Sequence, residues 1–312
     1  MSSGSGTYAS RLKAYPAKGV CGLPETYDLP DALEKKLTTL STWWKSATSI
    51  VVLTGAGIST SAGISDFRGP KGVWTLEIER EKTQKRKRKQ QSRRKFGSKR
   101  RKVSSNNSNT NTLFPTSATS SSSSVSGFEA AQPTLTHRAL TALVNHSGAG
   151  KVNYIVTQNV DGLHQRAKLD RSKLAILHGC VFEEQCEDCK TYNFLNKEVN
   201  SISFQPTGNT CTKCNGICRD TLLDWEDALP EDQLCPSEIE CKRADLVVTL
   251  GTSLRIEPAG SLPLLCKEKG GRFVIVNLQE TPKDNASDLL IRCRVDQVMS
   301  RIATDVLGDD WE

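Results

Sequence analysis

His178, followed by Gly179, is a candidate proton acceptor, because an imidazole with an unperturbed pKa of about 6.5 can take a proton near neutrality. Upstream, Gln158, Asn159 and Asp161 stand in the run Thr157-Gln158-Asn159-Val160-Asp161-Gly162-Leu163-His164, directly after an apolar, strand-like run. A histidine before glycine can also be purely structural. Gly55-Ala56-Gly57 closes an apolar run, where glycines permit a tight turn and let backbone N–H groups approach a pyrophosphate. The next glycine, Gly63, comes after five intervening residues, so the segment is not the standard dinucleotide fingerprint. By itself it suits an ordinary strand–helix turn equally well. A second chemistry is carried by Cys186 and Cys189, then Cys211 and Cys214, each pair spaced by two residues and the pairs by 21. Paired thiolates of this kind suit a closed tetrahedral zinc site with no open position for catalysis. Cys218 competes with Cys214 as the fourth ligand.

The elements that must position these groups are readable from periodicity. Apolar, β-branched runs at 49–54, 152–157, 245–250 and 272–278 read as buried strands, and helical patterns at 136–145 and 260–269 lie between them. A further helix is expected over 32–45, with Asp31 as N-cap and Glu34 completing a capping-box-like pair. Buried strands alternating with helices imply a doubly wound α/β domain, a Rossmann-like parallel sheet covered on both faces. The expected catalytic domain comprises 31–76, 128–182 and 236–300. Around it lie a surface-wrapping segment (1–30), a small cysteine-bearing module (183–235) and a short tail (301–312).

The formal charge of +7 conceals an uneven distribution. Between Arg80 and Lys102 stand 14 Lys and Arg against one acid, Glu81, about +13, while the remainder is net −6. Polyanion-binding character is thus confined to one stretch of an insertion over 77–127, basic at first and then Ser-, Asn- and Thr-rich, which is expected to be disordered. Eleven cysteines without an apolar N-terminal h-region favour metal ligands and buried thiols in a reducing compartment over a secreted disulfide scaffold. The apolar runs are strand-sized, so no membrane span is expected.

The continuation Ile58-Ser59-Thr60-Ser61-Ala62-Gly63-Ile64-Ser65-Asp66-Phe67-Arg68, with Gln158-Asn159-Val160-Asp161, His178-Gly179 and the four cysteines, resembles the sirtuins, the NAD-dependent protein lysine deacylases. The resemblance runs from about Tyr15 to Val298, broken by the insertion. It implies that NAD is a consumed co-substrate held by Gly55, Ala56, Gly57, Thr60, Phe67, Arg68, Trp74, Gln158 and His178. At later strand ends it adds Gly251, Thr252, Ser253, Asn277, Leu278 and Gln279, with Val295 closing the adenine end. His178 would be the base, Gln158 and Asn159 would hold the ribose, Asp161 would support local charge and geometry, and Arg68 would order the loop. The implied reaction transfers the acyl group from lysine to ADP-ribose and releases nicotinamide. His164 would be structural.

Three segments resemble the class IV, sirtuin-six type: Tyr15 to Glu25, Gly72-Val73-Trp74-Thr75, and Asp220 to Pro230. In that type four residues separate the last zinc ligand from an Arg-Asp-Thr run; here the run begins at Arg219, which favours Cys214. Trp225, Glu226 and Asp227 would then form one wall of an acyl-lysine channel, and acylated histone H3 and nucleosomes would be substrates. Mono-ADP-ribosyl transfer and a chromatin scaffold with weak catalysis are the alternatives. The basic clusters Lys85 to Lys89 and Lys99 to Lys102 suit nuclear import, direct DNA contact by phosphate neutralisation, or a solvated charge run.

Overall fold

The computed structural model describes residues 8–13, 18–98 and 127–311. Lys99 to Lys102 and the Ser-rich run after them lie outside the described residues.

Its helices are α1 (Tyr8–Arg11), α2 (Pro30–Ser46), α3 (Val73–Ser98), α4 (Gly127–Ala130), α5 (Leu135–Asn145), α6 (Leu163–Arg166), α7 (Glu231–Arg243) and α8 (Val295–Leu307). Six strands, β1 (Ile50–Thr54), β2 (Val152–Thr157), β3 (Leu174–Ile176), β8 (Leu246–Leu250), β9 (Arg272–Val276) and β10 (Leu289–Ile291), form one parallel sheet in the order β10-β9-β8-β1-β2-β3. The other four, β4 (Glu183–Cys186), β5 (Tyr192–Phe194), β6 (Pro206–Thr210) and β7 (Ile217–Asp220), make a small antiparallel sheet.

The large sheet is buried on both faces because side chains alternate along each strand. Ile50, Val52, Ile155, Val248 and Val274 face a layer containing Leu40, Trp44, Leu140, Leu143, Val298 and Ile302 of α2, α5 and α8. Val51, Leu53, Val156, Val247 and Phe273 face Cys241 of α7 and Leu262 and Cys266 of an eleven-residue 3-10 helix (Ala259–Lys269). This is the doubly wound sheet the sequence implies. Chain order reverses between β1 and β8, so the crevice for a ligand is expected at the carboxyl ends of those two strands.

Three local expectations are corrected. Helix α2 begins at Pro30, whose fixed φ suits the first helical position, and no side chain caps it. Asp31 therefore lies within the first turn, where its charge favours the helix dipole. The N-terminal segment contains a helical turn, α1, whose Tyr8 is buried. The stretch from 77 to 98, expected to be irregular, continues α3, because Lys, Arg, Glu and Gln are strong helix formers and glycine enters only at Gly97. No described helix is long and apolar enough to cross a membrane.

Candidate active site

At the strand reversal, the backbone turn after β1 is pressed against the turn after β8. A Cβ on Gly55 would stand 2.6 Å from Thr252 Cβ, and one on Gly57 would stand 2.7 Å from Gly251 Cα. Glycine is thus required for these two turns to meet, and together they form the floor of a cavity of about 320 Å³. That volume lies in the range of ordinary small-molecule sites.

His178 reaches this cavity from the turn after β3. The following Gly179 has φ +77°, and a Cβ there would fall 1.9 Å from the Thr221 carbonyl oxygen, so the turn admits no side chain. His178 Nδ1 lies 3.1 Å from the Gln158 carbonyl oxygen. A carbonyl only accepts, so Nδ1 carries the hydrogen and Nε2 is left as the ring's acceptor. The ring keeps an edge on the cavity, yet the dense surrounding protein lowers its pKa to about 4. The Gln158 carbonyl opposes that shift and the Arg68 charge adds to it. A neutral imidazole at pH 7 is the form a general base requires.

Gln158 and Asn159 follow β2. Gln158 Nε2 donates to Thr252 Oγ1 at 3.0 Å, and Asn159 Nδ2 donates to the Gly55 carbonyl at 3.1 Å. Asp161 is buried behind the wall and does not line the cavity: it accepts from Ser59 Oγ at 2.6 Å and from the Leu163 N–H at 3.0 Å. Asn159 Nδ2 also reaches Ser59 Oγ at 3.2 Å, so Asp161 orients Asn159 through Ser59. It is a positioning residue.

The opposite wall is aromatic. Phe67 and Trp74 have ring centroids 4.6 Å apart, and the Arg68 guanidinium lies 4.5 Å from the centroid of Trp74. Trp225 and Asp227 join the wall from the segment after β7, whereas Glu226 is exposed and outside it. Burial raises the pKa of Asp66 at the base of the loop, opposed by the Gly69 N–H bond to its carboxylate. Ala56, Ser253, Asn277 and Gln279 also line the cavity. Thr60, Leu278 and Val295 instead line an adjoining cleft of about 500 Å³, which shares Gly57, Gly251, Asn277 and Gln279.

Sequence reasoning missed Tyr8, Leu12, Ser59 and Ile256. Tyr8 and Leu12 line the cavity, and Tyr8 Oη donates to the Leu223 carbonyl at 3.1 Å. The available signal was an apolar pair four residues apart in a polar segment.

At the end of β4 and in the turns that join β4 to β5 and β6 to β7, Cys186, Cys189, Cys211 and Cys214 bring their sulfurs within 4.8 Å of one another. The separations of Cys186–Cys214, 3.4 Å, and Cys189–Cys211, 3.6 Å, approach the ~3.8 Å that tetrahedral Zn–S bonds of ~2.3 Å dictate. The residues present fit a four-thiolate zinc ion. Cys218 lies opposite Cys186 across the β4–β7 pair, outside that group, so Cys214 completes the set.

Residues 55–258 match the family model described as "Sir2 family". The chain is 39% identical over 297 residues to "NAD-dependent protein deacetylase SRT1" of Arabidopsis thaliana, covering 95% of this chain and 54% of that protein. It therefore spans about half the length of that relative. It is 38% identical over 306 residues to "NAD-dependent protein deacetylase Sirt6" of Drosophila melanogaster, covering 95% and 83%. A solved structure described as "Sir2-p53 peptide-NAD+" superposes with a TM-score of 0.56 at 29% identity, covering 85% of this chain and 96% of that one. The family model spans the glycine cradle, the histidine and the cysteine module alike, and the chain belongs to the Sir2 family, the sirtuins.

Proposed function

We propose that this chain is an NAD-dependent protein-lysine deacylase, which moves the acyl group of a modified lysine to ADP-ribose and releases nicotinamide and free lysine. One juxtaposition carries the reading. A neutral His178 with Nε2 as acceptor shares a cavity with the glycine cradle of β1 and with the aromatic wall of Phe67, Trp74 and Trp225. Relatives named as NAD-dependent protein deacetylases, and a neighbour solved with NAD and a peptide, support it.

Bound NAD supplies an electrophilic ribose carbon with nicotinamide as its leaving group. The remaining work falls to the chain. The N–H groups of Gly55, Gly57 and Gly251 are used in backbone hydrogen bonds, which leaves the turn atoms at Ala56, Thr252 and Ser253 to hold the phosphates. Gln158 and Asn159 would hold the ribose, and His178 Nε2 would take a proton from a ribose hydroxyl. Phe67 and Arg68 cover the reacting bond from water, and Trp225 flanks the acyl-lysine chain. Zinc on Cys186, Cys189, Cys211 and Cys214 is structural, since four thiolates leave no open position.

Acetylated histone H3 and nucleosomes are the proposed substrates, and the nucleus the proposed location. The exposed bases Lys85 to Lys89 on α3 support both as an import signal and as a duplex contact. Mass spectrometry of acetyl, myristoyl and unmodified H3 peptides and nucleosomes incubated with NAD tests the assignment. Deacylated product and O-acyl-ADP-ribose are expected, and His178→Ala should lower turnover by about 10²–10⁴-fold with NAD still bound. Folded, zinc-loaded protein that releases no nicotinamide would sink the reading.

A further inference from the structure

The basic arm continues the helix whose first turn packs on the active-site loop. Trp74, in the first turn of α3, donates its N–H to the Phe67 carbonyl at 3.0 Å, and its ring packs on Phe67 and on Trp225. Thr75 Oγ1 donates to the Gly69 carbonyl at 2.8 Å, and Glu77 pairs with Lys18 at 2.5 Å. This first turn is therefore tied to the residues 66–69 that wall the cavity. Beyond Ile78 the same helix carries Arg80, Lys82, Lys85, Arg86, Lys87, Arg88 and Lys89, all exposed. Trp74 and Lys89 are about 22 Å apart along its axis.

That outer stretch works against its own helicity. Lys82 and Arg86, and Lys85 and Lys89, are like charges at i and i+4, and such pairs destabilise a helix. The ion pair Lys85–Glu81, at 3.8 Å, offsets part of this repulsion. A polyanion that neutralised the bases would stabilise the helix, and with it the turn that holds Trp74, Phe67 and Arg68 at the cavity. At 100° per residue the seven bases lie on every side of the helix rather than on one face. A helix charged all round fits the major groove of a nucleic-acid duplex, which admits a helix and flanks it with phosphates of both strands. An acidic protein surface would meet only one side.

We infer that α3 couples duplex binding to the NAD site: a nucleic-acid duplex on residues 80–89 orders the loop of residues 66–74 and tightens NAD. By linkage, NAD tightens duplex binding by the same factor. The inference rests on the reading of the cavity as an NAD site.

The test is the NAD dissociation constant of the full chain, measured by calorimetry at low salt with and without saturating DNA duplex. Duplex should tighten NAD by about five-fold or more, the lower end of ordinary coupling. The combined substitution Lys85→Gln, Arg86→Gln, Lys87→Gln, Arg88→Gln and Lys89→Gln should lose duplex binding and the shift together. Glu79→Pro keeps every base but interrupts the helix, so it should bind duplex and lose the shift. Duplex binding that leaves the NAD constant unchanged overturns the coupling while the NAD site stands. An equal shift with polyglutamate overturns the choice of partner, and absence of NAD binding under every condition removes the site reading as well.

Discussion

The rings of Trp74 and Trp225 lie 4.9 Å apart, centroid to centroid, tilted by 40°. The loop of residues 66–74 and the segment that follows the small sheet thereby meet in one aromatic wall, so the shape of the cavity there depends on both.

Trp225→Ala should remove the substrate half of that wall and leave the glycine cradle intact. A lost aromatic contact predicts a rise of about ten- to thirty-fold in KM for an acyl-peptide, ~1.4–2 kcal/mol, with NAD affinity little changed. Steady-state kinetics with each substrate varied checks this. An equal loss of NAD affinity would place Trp225 on the cofactor side instead.

The acid limb of kcat/KM should lie well below the ordinary histidine pKa. Burial holds His178 near 4, so the ring stays neutral, and able to accept a proton, as the pH falls from 8 to about 5. A profile flat over that range is expected, with loss only as the pH approaches 4. A midpoint near 6.5 would mean that the free enzyme's ring is solvated.

Two further histidines make folding stability acid-sensitive. His137 and His164 are buried with ring centroids 4.7 Å apart, and burial lowers both pKa values to about 3. Nε2 of His137 and Nδ1 of His164 have no hydrogen-bond partner among the described residues, and although Asp296 and Asp161 favour the charged rings, burial outweighs them. Below about pH 6.5 the unfolded chain binds protons that the folded chain refuses, so stability falls as pH is lowered from 6.5 towards 3. Each histidine can contribute up to about 1.4 kcal/mol per pH unit in that window. Denaturant midpoints at pH 7, 6 and 5, with zinc content followed in parallel, measure the slope. Imidazole NMR signals of His137 or His164 titrating near 6.5 would contradict it.

What was legible in the sequence follows from how each part is stabilised. Strands β1, β8 and β9 are buried on both faces and so appear as apolar runs rich in β-branched residues, and β2 shows the same pattern apart from Asn153. The glycine cradle and the cysteine pairs are local in sequence and carry their chemistry in their spacing. The place of Tyr8 was hidden because its partner, Leu223, is remote in the chain and joined to it only by tertiary folding. Asp161 read as a group at the reacting centre, but its distance from the cavity is set by Ser59, a residue whose type gives no hint of the pairing. The helix of α3 was obscured by its lack of apolar periodicity, since nothing beyond its first turns needs a buried face.

Gly179→Ala should cost more than loss of a flexible residue in a loop. The φ of +77° disfavours any L side chain, and the new methyl would overlap the Thr221 carbonyl, which is backbone and cannot rotate away. We expect at least ~3 kcal/mol of destabilisation, or a shifted turn that carries His178 out of reach of Gln158. Urea unfolding together with nicotinamide release reads both. A variant of native stability and activity would show that this turn is not held against Thr221.

Zinc retention separates the two remaining cysteine assignments. Cys214 is exposed but lies within the four-sulfur group, and Cys218 is buried beside it in β7 yet outside the group. Cys214→Ser should release the metal, and because binding free energy at a structural zinc site is folding free energy, the small sheet should unfold with it. The Trp225 wall follows β7 directly, so activity on acyl-peptide should fall even though no catalytic group has changed. Cys218→Ser removes only a packed thiol, so metal content should stay at one equivalent per chain with a modest loss of stability, about 1 kcal/mol. Metal analysis of both purified variants decides the matter: zinc lost from Cys218→Ser and retained by Cys214→Ser would reverse the assignment.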